Sequence, residues 1–338
     1  MNLKESRIVY LDVIRGLMII WMLVVHISLN YGKIKFGDTT PGTNIFTFMS
    51  FFMTPFYVFS GYLFSAKKDF GSFTKNKVKK LLVPYLFFSL FGIAVFEGYS
   101  LFANHELNYR FLYTFIPTAT FNTNTPCWFF ISLFFVSEFY YIAYGVVSKL
   151  NSRGGLLRIG ILGCFILAYL TKNHPQYFGY GNILLGLVYF HIGRELKNYE
   201  ELIKKNKVLV LITAIVVYCV IGFIYPTSLA FVVNLLTTGN YFLNLVFSVS
   251  ACILLFFVCQ CIDKSLFGNS MAYIGRISIV VFAFHRPVLN YFLQPVIMRS
   301  YPACPYPLFL LICLILLLVF SIGLEKILSK YIPVLIGK

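Results

Sequence analysis

Apolar runs long enough to cross a bilayer dominate the pattern of this chain. They fall at roughly 10–31, 46–66, 81–103, 127–148, 155–171, 179–194, 207–225, 240–262, 272–293 and 306–325, separated by short polar breaks. A spanning helix needs about 20 apolar residues, so the pattern predicts an all-α polytopic membrane protein with about ten transmembrane helices. The fifth, sixth and seventh runs are the shortest. The stretch 226–239 is also apolar, and is either a re-entrant piece or an extension of a neighbouring helix. The first run has the basic start of a signal peptide, at Lys4 and Arg7, but no small-residue cleavage site, and it carries Asp12, Arg15 and His26. It reads as a retained helix.

Composition agrees. Hydrophobic residues make up 59% of the 338 residues and charged ones 12%, about half the charge that covers an ordinary soluble domain. A soluble globular protein and a disordered chain are both excluded. The net charge of +16 then reads as topology. With the N-terminus inside, ten spans put 21 Lys and Arg on the inner side and 6 on the outer, with Arg15 inside the first span. Bases collect on the cytoplasmic side, so both termini are expected inside. No basic stripe lies on a folded soluble domain, and no nucleic-acid partner is expected. The main inner loop, 67–80, is strongly basic, and the longest outer loop, 104–126, is Asn-rich and nearly neutral. The absence of an internal repeat weighs against an inverted-repeat transporter. The eight cysteines form no C-x-x-C pair, so no metal site is expected. Cys127 and Cys304 fall at or near the outer ends of their runs, and nothing in the sequence supports a bridge between them.

Ionisable side chains inside spans are costly and point to function. On a helix turning 100° per residue, Asp12, Arg15 and His26 share one stripe, with His26 roughly 16 Å beyond Arg15. Arg15 is thus expected near the cytoplasmic mouth and His26 in the outer half of the bilayer. An imidazole there can act as a general base on a hydroxyl acceptor. The structural alternative is an Asp–Arg pair at a helix entrance and a hydrogen-bonded core histidine. Glu138, in the fourth run, either orients His26 or pairs with Arg15. His285 reads as structural and His191 as interfacial; His105 and His174 lie in outer loops. Phosphate-binding loops, H-E-x-x-H and G-x-S-x-G are all absent, so nucleotide hydrolysis, zinc proteolysis and serine hydrolysis have no support.

Five pieces of sequence occur in a telling order. They are Tyr10-Leu11-Asp12-Val13-Ile14-Arg15-Gly16 followed by His26; Phe56 to Phe64 with Ser60-Gly61-Tyr62; Lys80-Leu81-Leu82-Val83-Pro84-Tyr85; Trp128-Phe129-Phe130 with Leu133-Phe134; and Tyr273-Ile274-Gly275-Arg276-Ile277-Ser278 leading to His285 and Pro287. Together they resemble the membrane acyltransferase 3 family over nearly the whole chain. The resemblance implies an integral-membrane O-acyltransferase, usually an O-acetyltransferase, of the bacterial inner (cytoplasmic) membrane. It implies acetyl-CoA or another acyl-CoA as cytoplasmic donor, and an extracytoplasmic glycan or lipid-linked saccharide as acceptor. It also implies that His26 is catalytic and Arg15 essential.

The family's R-x-x-R before its third helix is here Lys77-Val78-Lys79-Lys80. Lysine keeps the charge but loses the bidentate fork that grips phosphate. The catalytic candidates are therefore His26 and Glu138, and the donor-binding candidates Arg15, Lys77 and Lys80. A general base at His26 and a covalent acyl-histidine relay remain open alternatives. The expected organisation is one transmembrane domain over 1–338 with no fused soluble domain. A transporter of lipid-linked sugars or similar anions is the rival from another class, and a non-catalytic assembly partner a third.

Overall fold

The computed structural model describes residues 8–36, 48–107, 125–150, 154–174, 179–225 and 239–338. The described residues are helical throughout their regular structure. In chain order the helices are α1 (Val9–Phe36), α2 (Thr54–Tyr62), α3 (Phe70–Lys77), α4 (Val83–Asn104), α5 (Trp128–Lys149), α6 (Gly155–Leu170), α7 (Tyr180–Asn198), α8 (Glu200–Lys205), α9 (Lys207–Ile224), α10 (Tyr241–Ile262), α11 (Leu266–Arg276), α12 (Ser278–Val288), α13 (Gln294–Ser300) and α14 (Tyr306–Tyr331). In lipid no water satisfies a stray backbone group, so helices that bond internally are the solution the apolar runs enforce.

Each predicted run is met by a helix, but not every helix is long enough to span. Among the described residues six are long and apolar enough: Val9–Gly32, Phe70–Ala103, Trp128–Lys149, Lys207–Ile224, Tyr241–Ile262 and Tyr306–Tyr331. A bent pair, Leu266–Arg276 with Ser278–Ser300, makes a seventh if counted as one span. The other three runs fall short for visible reasons. The helix in 46–66 is the 9-residue α2, the one in 155–171 is the 16-residue α6, and α7 carries Arg194, Glu195 and Lys197 near its end. The chain is a multi-pass membrane protein with six to seven candidate spans. The apolar stretch 226–238, the bases Lys4 and Arg7, and outer-loop residues 108–124 lie outside the described residues.

Two boundaries differ from the sequence reading. The basic loop 67–80 is helical from Phe70 onward. Asp69 caps it, accepting from the Ser72 backbone N–H at 2.9 Å, a bond that also holds the Asp69 carboxyl below its ordinary range. Val78–Leu82 then form a π turn that carries the chain into α4, with the Val83 N–H donating to the Val78 carbonyl. Pro84 explains the widening: it has no N–H to give the Lys80 carbonyl one α-turn back. The second difference is the ninth run. Ser265 caps a separate helix by accepting from the Gly268 N–H at 2.9 Å, and α11 ends at Arg276 before α12 begins.

The described chain forms two compact units. The first comprises Met1–Met22, Gly42–Leu63 and Ile192–Ser278; the second comprises Leu23–Pro41, Phe64–His191 and Ile279–Lys338. In the first unit α1 and α11 touch backbone to backbone. A Cβ built on Gly16 would fall on the Met271 carbonyl, and one on Gly275 on the Asp12 carbonyl. Small residues at such crossings are how membrane helices gain close packing without a hydrophobic drive. Gly193 of α7 meets the Val58 carbonyl of α2 in the same way.

In the second unit the later half of α1 is fastened by polar bonds. Asn30 donates to Asn290 at 2.6 Å, Ser28 and Tyr306 share a bond of 2.7 Å, and the Tyr31 hydroxyl donates to the Cys304 carbonyl at 3.0 Å. An aromatic cluster of Phe64, Tyr140 and Phe190 packs with ring centroids 4.8–5.8 Å apart. Cys127 and Cys304 are both fully buried free thiols.

Candidate active site

The second unit holds a pair of buried histidines. His26 of α1 and His285 of α12 are both buried, with ring centroids 5.0 Å apart and planes inclined by 33°. Arg286 adds a cation: its Nη1 lies 3.3 Å from His26 Nδ1. His285 Nδ1 lies 2.6 Å from the Phe282 carbonyl oxygen, and its Nε2 is buried without a hydrogen-bond partner among the described residues. The wall behind the pair is aromatic. Phe129 and Phe130 of α5 pack on Phe282 at centroid distances of 5.4 and 5.5 Å, and Phe91 of α4 stacks on Phe284 at 5.5 Å. The Trp128-Phe129-Phe130 segment thus acts through Phe282, whose carbonyl holds His285.

Local sequence accounts for this arrangement. Pro287 sits inside α12, where it removes one α-helical hydrogen bond. Two residues later the chain widens into the π turn Leu289–Leu293, a device common at functional sites. Asn290 lies on that turn and receives Asn30, one helical turn beyond His26.

The other sequence candidates are placed elsewhere. In the first unit Arg15 Nη1 is 3.3 Å from Asp12 Oδ1; Asp12 is buried, while a third of the Arg15 side chain (33%) stays exposed. The charge is therefore neutralised on one side and reachable on the other. Glu138, expected to orient His26 or to pair with Arg15, instead accepts from Thr74 of α3 at 2.7 Å. Its second oxygen is buried without a hydrogen-bond partner among the described residues. Lys77 ends α3, with its ammonium 5.3 Å from the Phe73 ring centroid, and Lys80 lies in the following π turn. Glu138 and the lysines thus meet through α3, whereas the imidazole of His26 faces His285 and Arg286. His191 pairs with the Tyr140 hydroxyl at 2.9 Å.

A family model described as an acyltransferase domain matches residues 8–326. The chain belongs to the acyltransferase 3 family. Comparison with curated proteins and with solved structures returned no significant match.

In this acyltransferase 3 chain two groups escaped the sequence reading. Arg286 is not among the sequence candidates, yet it lies on His26; its position directly after His285 is the available signal. The second is a polar cluster in the first unit. The Tyr10 and Tyr62 hydroxyls are 3.0 Å apart, and Tyr62 donates to Glu200 at 2.8 Å. Glu200 also accepts from Lys197 at 2.7 Å and Lys204 at 2.6 Å. Burial pushes the Glu200 carboxyl up, but the bonds from Lys197, Lys204 and Tyr62 outweigh it and hold its pKa down to about 2. The bond to Glu200 likewise raises the Lys204 ammonium above its ordinary value. A separate groove of about 540 Å³, lined by residues such as Leu209, Thr213, Val217, Leu245 and Val249, carries no ionisable side chain. Among the described residues no three His, Cys, Asp or Glu side chains are placed to hold a metal ion.

Proposed function

We propose that this acyltransferase is an O-acetyltransferase of the bacterial inner membrane. It moves an acetyl group from cytoplasmic acetyl-CoA to a hydroxyl of an extracytoplasmic glycan or lipid-linked saccharide. The observation that carries the reading is the buried imidazole pair of His26 and His285 with Arg286 beside it. Acyl transfer to a hydroxyl needs a group to take its proton and a donor to steady the oxygen of the thioester carbonyl. Two imidazoles and a guanidinium supply both.

The donor end of the reading rests on charge. Arg15, part exposed beside Asp12, lies roughly 16 Å before His26 along one continuous helix. A guanidinium there is suited to the phosphates of acyl-coenzyme A. Lys77 and Lys80 are further cations of the kind a phosphate attracts, as point charges without a guanidinium fork. Glu138 serves as a positioning residue that holds the lysine-bearing α3 through Thr74. The basic residues of 67–80 support a cytoplasmic position for that segment; cysteine-labelling of positions 70 and 110 from the same side would overturn that topology.

The experiment is transfer of label from [14C]acetyl-CoA, in membranes containing the protein, to base-labile esters of extracted glycan or glycolipid. His26→Ala, at matched expression, should lower transfer by about 10²–10⁴-fold, the range spanned by loss of a general base or of an oxyanion donor. Near-normal transfer by that variant would remove the histidine pair from catalysis. Membranes whose acetyl ester content is independent of the protein would favour a transporter instead.

A further inference from the structure

The two histidines do not hold the same proton. A guanidinium has five N–H donors and no acceptor, so the contact between Arg286 Nη1 and His26 Nδ1 has one direction. Arg286 donates, and Nδ1 keeps its lone pair for that bond. The neutral imidazole of His26 then carries its proton on Nε2. At His285 the logic reverses. A carbonyl oxygen only accepts, so His285 Nδ1 carries the proton and donates it to Phe282. His285 Nε2 bears the lone pair, fully buried and without a partner among the described residues. A buried acceptor left unmade is costly, and a ligand hydroxyl would satisfy it.

Of the pair, therefore, only His285 offers an imidazole lone pair that no group among the described residues has claimed, and only His26 offers an N–H that none of them has claimed. We propose that His285 is the general base of the acetyl transfer, and that His26, polarised by Arg286, is the hydrogen-bond donor to the thioester carbonyl oxygen. This assignment rests on the acyltransferase reading and divides the labour within it.

The acceptor hydroxyl gives its proton to His285 Nε2 while its oxygen bonds to the thioester carbonyl carbon. The carbonyl oxygen becomes an oxyanion, held by the His26 Nε2–H. Collapse of this tetrahedral intermediate breaks the carbon–sulfur bond. The departing thiolate takes the proton from His285, giving an O-acetyl ester, free coenzyme A thiol and two neutral imidazoles. Arg286 strengthens the His26 donor, because a cation on Nδ1 makes the Nε2–H more acidic, and it places positive charge near the oxyanion. The aromatic wall of Phe129, Phe130 and Phe282 keeps the surroundings apolar, where such donors act most strongly.

The test has a spectroscopic and a kinetic arm. The chain has five histidines, few enough for nitrogen-15 NMR of the purified, histidine-labelled protein in lipid. His26 should show a protonated Nε2 and His285 a protonated Nδ1, each assigned by loss of its signals in a single substitution. Arg286→Met should release His26 to a mixture of tautomers. The opposite tautomers in the wild type overturn the proposal.

For kinetics, His285→Asn keeps an N–H for the Phe282 carbonyl but offers no base. Its transfer of [14C]acetyl should fall by at least about 10²-fold, with acetyl-CoA affinity within about twofold of wild type. Added imidazole should restore transfer to His285→Ala more than to Arg286→Met, a rescue that a structural role would not give. Near-normal transfer by His285→Asn overturns the base assignment alone. Wild-type membranes that move no acetyl label overturn the acyltransferase reading, and the assignment with it.

Discussion

The crossing of α1 and α11 gives the sharpest prediction about stability. Gly275→Ala puts a methyl where the Asp12 carbonyl already sits, and Gly16→Ala puts one on the Met271 carbonyl. Both obstacles are backbone, so no rotamer change relieves them and the helices must part. Overpacking costs about 1–3 kcal/mol and occasionally more; a clash with backbone belongs at the upper end. Against it stands the helix propensity of alanine, which favours Ala over Gly by about 1 kcal/mol. The net expectation is a loss of about 2 kcal/mol or more. Gly323 of α14 and Gly145 of α5 are the controls, since nothing lies within 4 Å of a Cβ at either. There the propensity term acts alone, and alanine should be neutral or stabilising by up to about 1 kcal/mol. The assay is thermal unfolding of the four purified variants in one lipid or detergent. Gly16→Ala and Gly275→Ala should melt several degrees below wild type, and Gly145→Ala and Gly323→Ala at or above it. If Gly275→Ala and Gly323→Ala melt together, the close crossing is not there.

Arg15→Ala should weaken acetyl-CoA binding by about 10-fold or more, the worth of a charged hydrogen bond, and Lys77→Ala with Lys80→Ala should weaken it less; calorimetry on purified protein measures both, and unchanged affinity in the Arg15 variant removes it from the donor site. Glu200 has its folded pKa depressed from 4.5 to about 2, so the stability it contributes is present above pH about 4.5 and is lost as pH falls toward about 2. Glu200→Gln should flatten that part of the melting temperature–pH profile, and an unchanged acid slope would show that the carboxylate is not the source.

Much of this molecule was legible because the bilayer leaves few options. Each apolar run became a helix, since a buried backbone must bond internally. What composition could not show was length: α2 and α6 are apolar and still too short to span. Residues 67–80 read as a loop because six lysines in fourteen residues look like a solvated connection. The helix there depends on a cap at Asp69 and on the burial of a single ring, Phe73, which hydrophobic periodicity barely registers. His26 and Arg15 were legible from one helix alone. Arg286 was not, because an arginine beside an outer helix end ordinarily snorkels, and only the tertiary contact shows what it meets. Glu138 was read as a mid-span carboxylate in search of a cation, but a threonine hydroxyl on α3 holds it.

Pro287 and the π turn after it show why the motif around His285 takes its form. The later half of α1 meets the α12 segment at two levels, His26 against His285 and Arg286, and Asn30 against Asn290. On α1 these levels are four residues apart, one ordinary turn. From His285 to Asn290 they are five apart, which an α-helix would carry round to a different side. A π turn absorbs the extra residue, since its hydrogen bonds close over five positions rather than four. Widening a helix costs hydrogen-bond geometry, and the cost is lowest where a bond is already missing. Pro287 supplies that gap by withholding its N–H from the turn before it. The proline thus serves the register of the histidine pair: it lets two adjacent residues, His285 and Arg286, both reach one imidazole, while Asn290 still closes the bond to Asn30 that keeps α1 in place.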